Sequence, residues 1–401
     1  MILVRAIKIS YLSAYLFKNL IVLFFGLDFL VKLLLVNDSS QLMFFRYLVV
    51  PKMIILALAF FSFKGKMAQL SYTKEVLLVV LFCIGQVIIF SNLNKDNILF
   101  NGHYLINTIA GLLFFKVYDT FADKNLVNHH MTQFLVLILI GVATILLGAI
   151  FEVRLFRTYF FHASGLRYGY NGIQLYHPES GYLYFIALCL IYFKWAVSKQ
   201  KHYLYFLIAC LLAIFFVGTK KMFFLGFIFL GFILLQNISV AKTLKRTTLF
   251  YLLASAIVLI YMLSKQVISR QLSLFEGIYQ TKGFWTAFLS NRNNLLAEKF
   301  LPYISTNWTY LNYITGGPAF STHRVEMELF DLFLFFGAAG IVIYTKFILK
   351  LLNNKNVLIT FMSVSLVFAA ALSGNLFASL NVMVLWSVAV KFIKTNSTSK
   401  Q

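Results

Sequence analysis

Long apolar runs broken by short polar clusters dominate this chain. Apolar stretches fall at roughly 11–36, 41–63, 75–91, 98–118, 131–151, 181–197, 203–218, 222–236, 248–264, 327–349, 357–374 and 376–393, and about twenty such residues in a helix cross about 30 Å of hydrocarbon. The pattern predicts an all-α chain, a polytopic transmembrane helix bundle of about 12 spans. Several runs are short, as tilted neighbours or a locally thinned bilayer allow. Asn101, His103 and Asn107 interrupt the fourth.

Composition agrees. Of 401 residues, 61% are hydrophobic and 12% charged, against about 45–50% and about 25% in soluble domains. So few charges cannot cover a water-facing surface, which excludes a soluble globular domain. No linker or internal repeat divides the sequence, so residues 1–401 are expected to form a single integral membrane domain. Cys83, Cys189 and Cys210 sit in apolar runs without metal-ligand spacing, and a disulfide framework is not expected. The basic N-terminus lacks a small-residue cleavage site and reads as a retained first span.

The formal charge is +22. On a soluble chain that would suggest nucleic acid. Here the positive-inside rule explains it first, and no nucleic-acid partner is expected. With both termini cytoplasmic, 19 of the 35 Lys and Arg lie inside, 12 outside and four within spans. Only Arg5 and Arg246 are arginines among the inner set. The outer set holds Arg154, Arg157, Arg167, Arg270, Arg292 and Arg324. Lys suffices for orientation, whereas Arg suits planar, multidentate binding of phosphate or carboxylate. All six outer arginines fall on two long outer loops, at about 152–180 and about 265–326, the second just before the tenth span. His162, His177 and His323 share these loops, and long loops on a rigid scaffold tend to carry function.

Each constellation has a functional and a bland reading. Arg154 and Arg157 would share a face on a helical extension, with Arg167 following. They either grip an anion at the outer interface or snorkel to lipid headgroups. Lys220 and Lys221 form a tight outer turn with Gly218 and Thr219. They bind an anion or are ordinary turn lysines. His323, Arg324, Glu326, Glu328 and Asp331 crowd the entrance to the tenth span. Acids there are also favoured by the helix dipole, which leaves His323 and Arg324 unexplained. Gly316-Gly317-Pro318 either positions this stretch over a cavity or is only a loop turn. Asp28 and Lys32, spaced i,i+4, are expected to pair. No phosphate-binding glycine loop, His-Glu-x-x-His motif or early acidic pair is present, so neither a metal nor another cofactor is expected.

This layout resembles the O-antigen polymerase and O-antigen ligase superfamily of bacterial membrane glycosyltransferases. Three features carry the resemblance. One is the many-span plan with a large outer loop near residue 300. A second is Gly218-Thr-Lys-Lys-Met-Phe-Phe-Leu225, similar to the family's Gly-Ser/Thr-Arg turn and basic-x-x-x-Leu motif. The third is the run from His323 to Phe336-Gly-Ala-Ala-Gly340, similar to the family's His-Asn…Gly-x-x-Gly. The family's His stands eleven residues before the first Gly. Eleven before Gly337 is Glu326, and His323 stands at fourteen, so both are candidate bases.

The resemblance implies a polymerase of lipid-linked oligosaccharide repeat units on the outer face of the bacterial inner membrane. Its substrate would be an undecaprenyl diphosphate-linked oligosaccharide in the outer leaflet, in contact with membrane lipids. A chain-length regulator and a flippase would be partners. Arg154, Arg157, Arg167, Lys220, Lys221 and Arg292 would bind diphosphate or glycan. His323, Glu326 and Arg324 would be catalytic, without metal. Trp285, Trp308, Tyr303, Tyr310 and Tyr313 are either sugar platforms or an interfacial aromatic belt. Two other readings stay open: an O-antigen ligase of the same chemistry, and a flippase or secondary transporter. The second is disfavoured by the absence of a two-fold repeat.

Overall fold

The structure is a computed structural model that describes residues 11–37, 49–88, 95–159, 168–238, 269–270, 272–317 and 320–397. Arg167, His162, Lys265 and the span expected at 248–264 lie outside the described residues. Among those described, every extended element is a helix, and the lone β-contact is an isolated bridge between Arg157 and Tyr170. The main helices are α1 (Leu20–Asn37), α2 (Val49–Phe60), α3 (Thr73–Phe82), α4 (Lys95–Phe121), α5 (Lys124–Phe151), α6 (His177–Ser198), α7 (Lys201–Phe216) and α8 (Lys220–Ile238). They continue with α9 (Tyr310–Thr315), α10 (Glu328–Leu352), α11 (Val357–Ser373) and α12 (Leu380–Ser397).

Three of these, α5, α6 and α10, are long and apolar enough to cross a membrane. A fourth joins them if Tyr11–Lys18 and Leu20–Val36, bent by 68°, make one broken span. The first apolar run, expected as one span at about 11–36, is bent within its length. Helix α4 runs unbroken through its polar residues because they find partners. Asn101 donates to Gln86 Oε1 at 2.7 Å, and Asn107 and His103 are joined at 2.9 Å.

The chain divides into two compact units. The first takes residues up to Val31, Ser40–Phe134 and Leu289 onward. Its core forms where α4 and α12 pack together. Trp386 is fully buried there, with Phe115 and Phe347 edge-on at 5.8 and 5.9 Å. Within it Asp28 pairs with Lys52 at 2.6 Å and accepts from Asn381 Nδ2 at 2.6 Å. That corrects the expected Asp28–Lys32 pair.

The second unit takes Lys32–Ser39 and Leu135–Phe288. Its centre is α6, buried without interruption from Ser180 to Ile191. A helix apolar on every side is one surrounded by others, and α7 and α8 both pack on it. Here Lys32 is fully buried, and its ammonium donates to Asn171 Oδ1, Gly172 O and Gln174 O at 2.7, 2.6 and 2.9 Å. The first helix thus clamps the segment Asn171–Gln174 before α6.

Candidate functional site

Two clusters gather the residues singled out above, one in each unit.

In the second unit, the loop after α5 is held against the turn between α7 and α8. Glu152 turns left-handed at φ 53° and Val153 is extended, so α5 ends. Only one turn of 3-10 helix follows, over Arg154–Phe156. The expected helical extension carrying both arginines on one face does not form. Arg157 instead faces Tyr170 across the bridge.

Backbone bonds then hold the loop in place. Thr158 N donates to Gly169 O at 2.8 Å, Tyr170 N to Phe216 O at 2.7 Å, and Thr158 Oγ1 to Val217 O at 2.8 Å. Gly218 makes this approach possible. Its φ is +69°, and a Cβ there would sit 2.1 Å from Tyr168 O. No other residue combines that conformation with so little space.

The cations of this cluster rest on rings and carbonyls. Tyr168 is shared by two guanidiniums, Arg157 at 5.9 Å and Arg270 at 4.5 Å from its ring centre. Its hydroxyl bonds Tyr170 Oη at 2.7 Å. Burial, and then that hydrogen bond, push the Tyr170 phenol up from its ordinary range, so it stays protonated. Arg157 also lies 4.0 Å from Glu152, and Arg154 is exposed. Lys220 donates to Ala287 O and lies 5.2 Å from the Phe275 ring. Lys221 donates to Pro178 O at 3.0 Å and sits 3.7 Å over the Tyr182 ring. Both lysines thus brace neighbouring segments. In the sequence Arg270 is one of six arginines expected outside and belongs to none of the short constellations. Its pairing with Arg157 needs a fold that brings distant loops onto one tyrosine.

In the first unit, the cluster stands at the start of α10. Arg292 donates to Glu326 twice, from Nε to its carbonyl at 3.0 Å and from Nη2 to its carboxylate at 3.1 Å. Glu326 is left-handed at φ 61°. Arg324 reaches Asn375 Oδ1 at 2.8 Å and Asp331 at 3.4 Å. Asp331 is buried and accepts from Val325 N and Glu326 N at 2.8 and 3.1 Å. Glu328, also buried, accepts from Leu376 N and Phe377 N at 3.0 and 2.8 Å. These two acids tie the turn before α10 and the turn after α11 to the helix start, a use the helix dipole alone did not require. His323 stacks on Tyr303 at 4.2 Å and lies 2.7 Å from Thr322 Oγ1. His323, Arg324 and Glu326 thus lie on one short stretch before α10, and Arg292 is bonded to it through Glu326.

Helix α10 is kinked at Gly337, φ +62°. A kink releases carbonyls that must find donors. Gly317 N takes Leu334 O at 2.9 Å and Gln86 Nε2 takes Phe335 O at 3.2 Å. A Cβ on Gly337 would meet the backbone of Ile314 at 2.4 Å, so α9 is pressed onto the kink. The Gly316-Gly317 turn thus completes a broken helix. Beside it, Phe300, Leu301, Ile304, Tyr313 and Phe333 line an open groove. Trp308 packs on Tyr313 and Phe333, each at 5.3 Å, while Tyr310 is almost fully exposed. Among the described residues, no three His, Cys, Asp or Glu are placed to hold a metal ion.

Compared with known proteins, the chain matches no family model, no curated sequence and no solved structure.

Proposed function

We propose that this chain is a multi-pass membrane glycosyltransferase that polymerises lipid-linked oligosaccharide repeat units. On this reading it has about twelve spans with both termini cytoplasmic, and works on the outer face of a bacterial inner membrane. The observation that carries the reading is the stretch of His323, Arg324 and Glu326, with Arg292 bonded to it, at the end of the long loop entering α10. It joins a base to cations in a chain otherwise poor in charge.

In the reaction, an acceptor sugar hydroxyl attacks the anomeric carbon of the donor glycan. The new glycosidic bond forms as the bond from carbon to diphosphate breaks. The electron pair leaves with the lipid diphosphate, and the hydroxyl proton passes to a base. His323 is assigned as that base, since the Glu326 carboxylate is engaged by Arg292. Arg157 and Arg270, two guanidiniums held on Tyr168, are assigned to holding an anionic group of the lipid-linked donor. Arginines fixed in place recognise such a group with several directed hydrogen bonds. Lys220 and Lys221 are assigned to holding that region together.

The test is reconstitution of the purified chain with an undecaprenyl diphosphate-linked repeat unit. Longer lipid-linked chains are the expected product. Transfer of glycan to lipid A-core and not to another repeat unit would make it a ligase. Movement of substrate across the bilayer with no new glycosidic bond would make it a flippase.

A further inference from the structure

Residues 272–288 of the second unit carry a patch that the proposed chemistry does not use. A helix over 272–282 is followed by the short helix Phe284–Phe288. Leu272 is 60% exposed, Tyr279 51%, Phe284 51%, Trp285 66% and Phe288 43%. The rings of Phe284, Trp285 and Phe288 form one cluster. Phe284 stacks on Phe288 at 5.9 Å and meets Trp285 edge-on at 5.5 Å. Large apolar side chains gathered on one exposed face mark an interaction surface.

Three observations identify what covers it. The first is depth. Lys220 and Lys221 open apolar α8 and are its only charges, so on the membrane reading this end of the helix lies at an interface. Lys220 bonds Ala287 O and lies over Phe275, so the aromatic segment is fastened at that level. The second is charge. Exposed Lys282 lies within the patch, between Tyr279 and Phe284, and Lys220 lies over Phe275. Aromatic rings flanked by cations suit the headgroup level of a bilayer, where rings sit among glycerol esters and cations meet phosphate. The third is the polar side chains. Ser273 bonds Arg270 O three residues back, and Thr281 and Gln280 bond Gly277 O and Glu276 Oε1 within their own helix. They are not turned outward to read sugar hydroxyls.

We propose that residues 272–288 are an aromatic strap that docks on the headgroup layer of a phospholipid bilayer. This rests on the chain being a membrane protein and not on the glycan chemistry. The strap holds the second outer loop flat against the outer leaflet, and Lys220 links it to the end of α8.

The experiment places the full chain in nanodiscs of phosphatidylcholine and phosphatidylglycerol. One set of lipids is brominated near the glycerol end of the acyl chain and another near its methyl end. Subtracting the emission of Trp285→Phe from that of the unaltered protein isolates Trp285. The expected result is roughly twofold quenching of that component by the shallow bromines and much less by the deep ones, as for an interfacial ring. Equal emission in brominated and plain lipid would overturn the strap and leave glycan or a protein as the occupant of this face. Stronger quenching by the deep bromines would overturn the headgroup placement. If the chain instead washes off vesicles in alkaline carbonate, the membrane reading fails and the strap with it.

Discussion

The two clusters solve one structural problem and handle charge in opposite ways. Each presses a neighbouring segment onto a break in helical structure through a left-handed glycine, Gly218 in the turn between α7 and α8 and Gly337 at the kink of α10. Around Gly337 the arginines meet acids: Arg292 with Glu326 and Arg324 with Asp331. Around Gly218 the cations meet rings and carbonyls, apart from Glu152 at 4.0 Å from Arg157: Arg157 and Arg270 on Tyr168, Lys220 on Ala287, Lys221 on Pro178. A carbonyl or a ring face orients a cation without neutralising it, whereas a carboxylate does both. The Gly218 region therefore keeps a net positive field and suits an anion. The Gly337 region is close to balanced and suits proton transfer.

Arg324→Ala tests this contrast most severely. It removes the cation beside Asp331, whose side chain is 2% exposed, and breaking one partner out of a buried pair costs about 3–5 kcal/mol. A large fall in thermal stability in detergent is expected, with partial recovery in Arg324→Ala/Asp331→Asn. A variant that melts with the unaltered protein would mean that backbone N–H groups alone satisfy Asp331.

Gly218→Ala and Gly337→Ala come next. Each adds a left-handed penalty of about 1–2 kcal/mol and a backbone overlap of about 1–3 kcal/mol. Both are expected to lower the yield of monodisperse protein on size exclusion. A loss confined to one variant would show that the two glycines are not equivalent supports.

These glycines also show what the sequence could reveal. Both stood out in short motifs, because only glycine fits a left-handed turn with a neighbour's backbone 2.1–2.4 Å from its missing Cβ. The helices were legible because an apolar run is local information, and α6, α8, α10 and α11 fall within a few residues of the runs that announced them. Side-chain partners were not. Lys32 was assigned to Asp28 by spacing along one helix, yet it bonds a segment 139–142 residues away, and Asp28 takes partners 24 and 353 residues away. Arg270 was passed over for the same reason. Nothing near it in sequence names Tyr168. Helical spacing likewise failed for Arg154 and Arg157, because a left-handed Glu152 ends the helix before them.

Arg157→Ala and Arg270→Ala separate binding from folding. Their cation–π contacts are worth about 0.5–1 kcal/mol each, so stability is expected to change little. A charge-assisted bond to an anionic group is worth about 1.5–3 kcal/mol, so on the proposed function KM for the lipid-linked donor is expected to rise about tenfold or more in each variant. Unchanged donor kinetics in both would take donor binding out of this region.

The smallest effect is expected at Arg292, and it sharpens the comparison most. Arg292–Glu326 and Arg324–Asp331 are both Arg–carboxylate pairs at the start of one helix. They differ in burial: the Glu326 side chain is 50% exposed and that of Asp331 is 2% exposed. An exposed pair is worth about 0–1 kcal/mol, so Arg292→Ala is expected to leave the melting temperature nearly unchanged. Glu326→Gly is expected to stabilise slightly, by up to about 1 kcal/mol, because glycine adopts its φ of 61° without strain. If His323 is the base, Glu326→Gly also retains most of the polymerising activity, and His323→Ala loses it without unfolding. A Glu326→Gly protein that is stable and inactive would transfer the role of base to the glutamate.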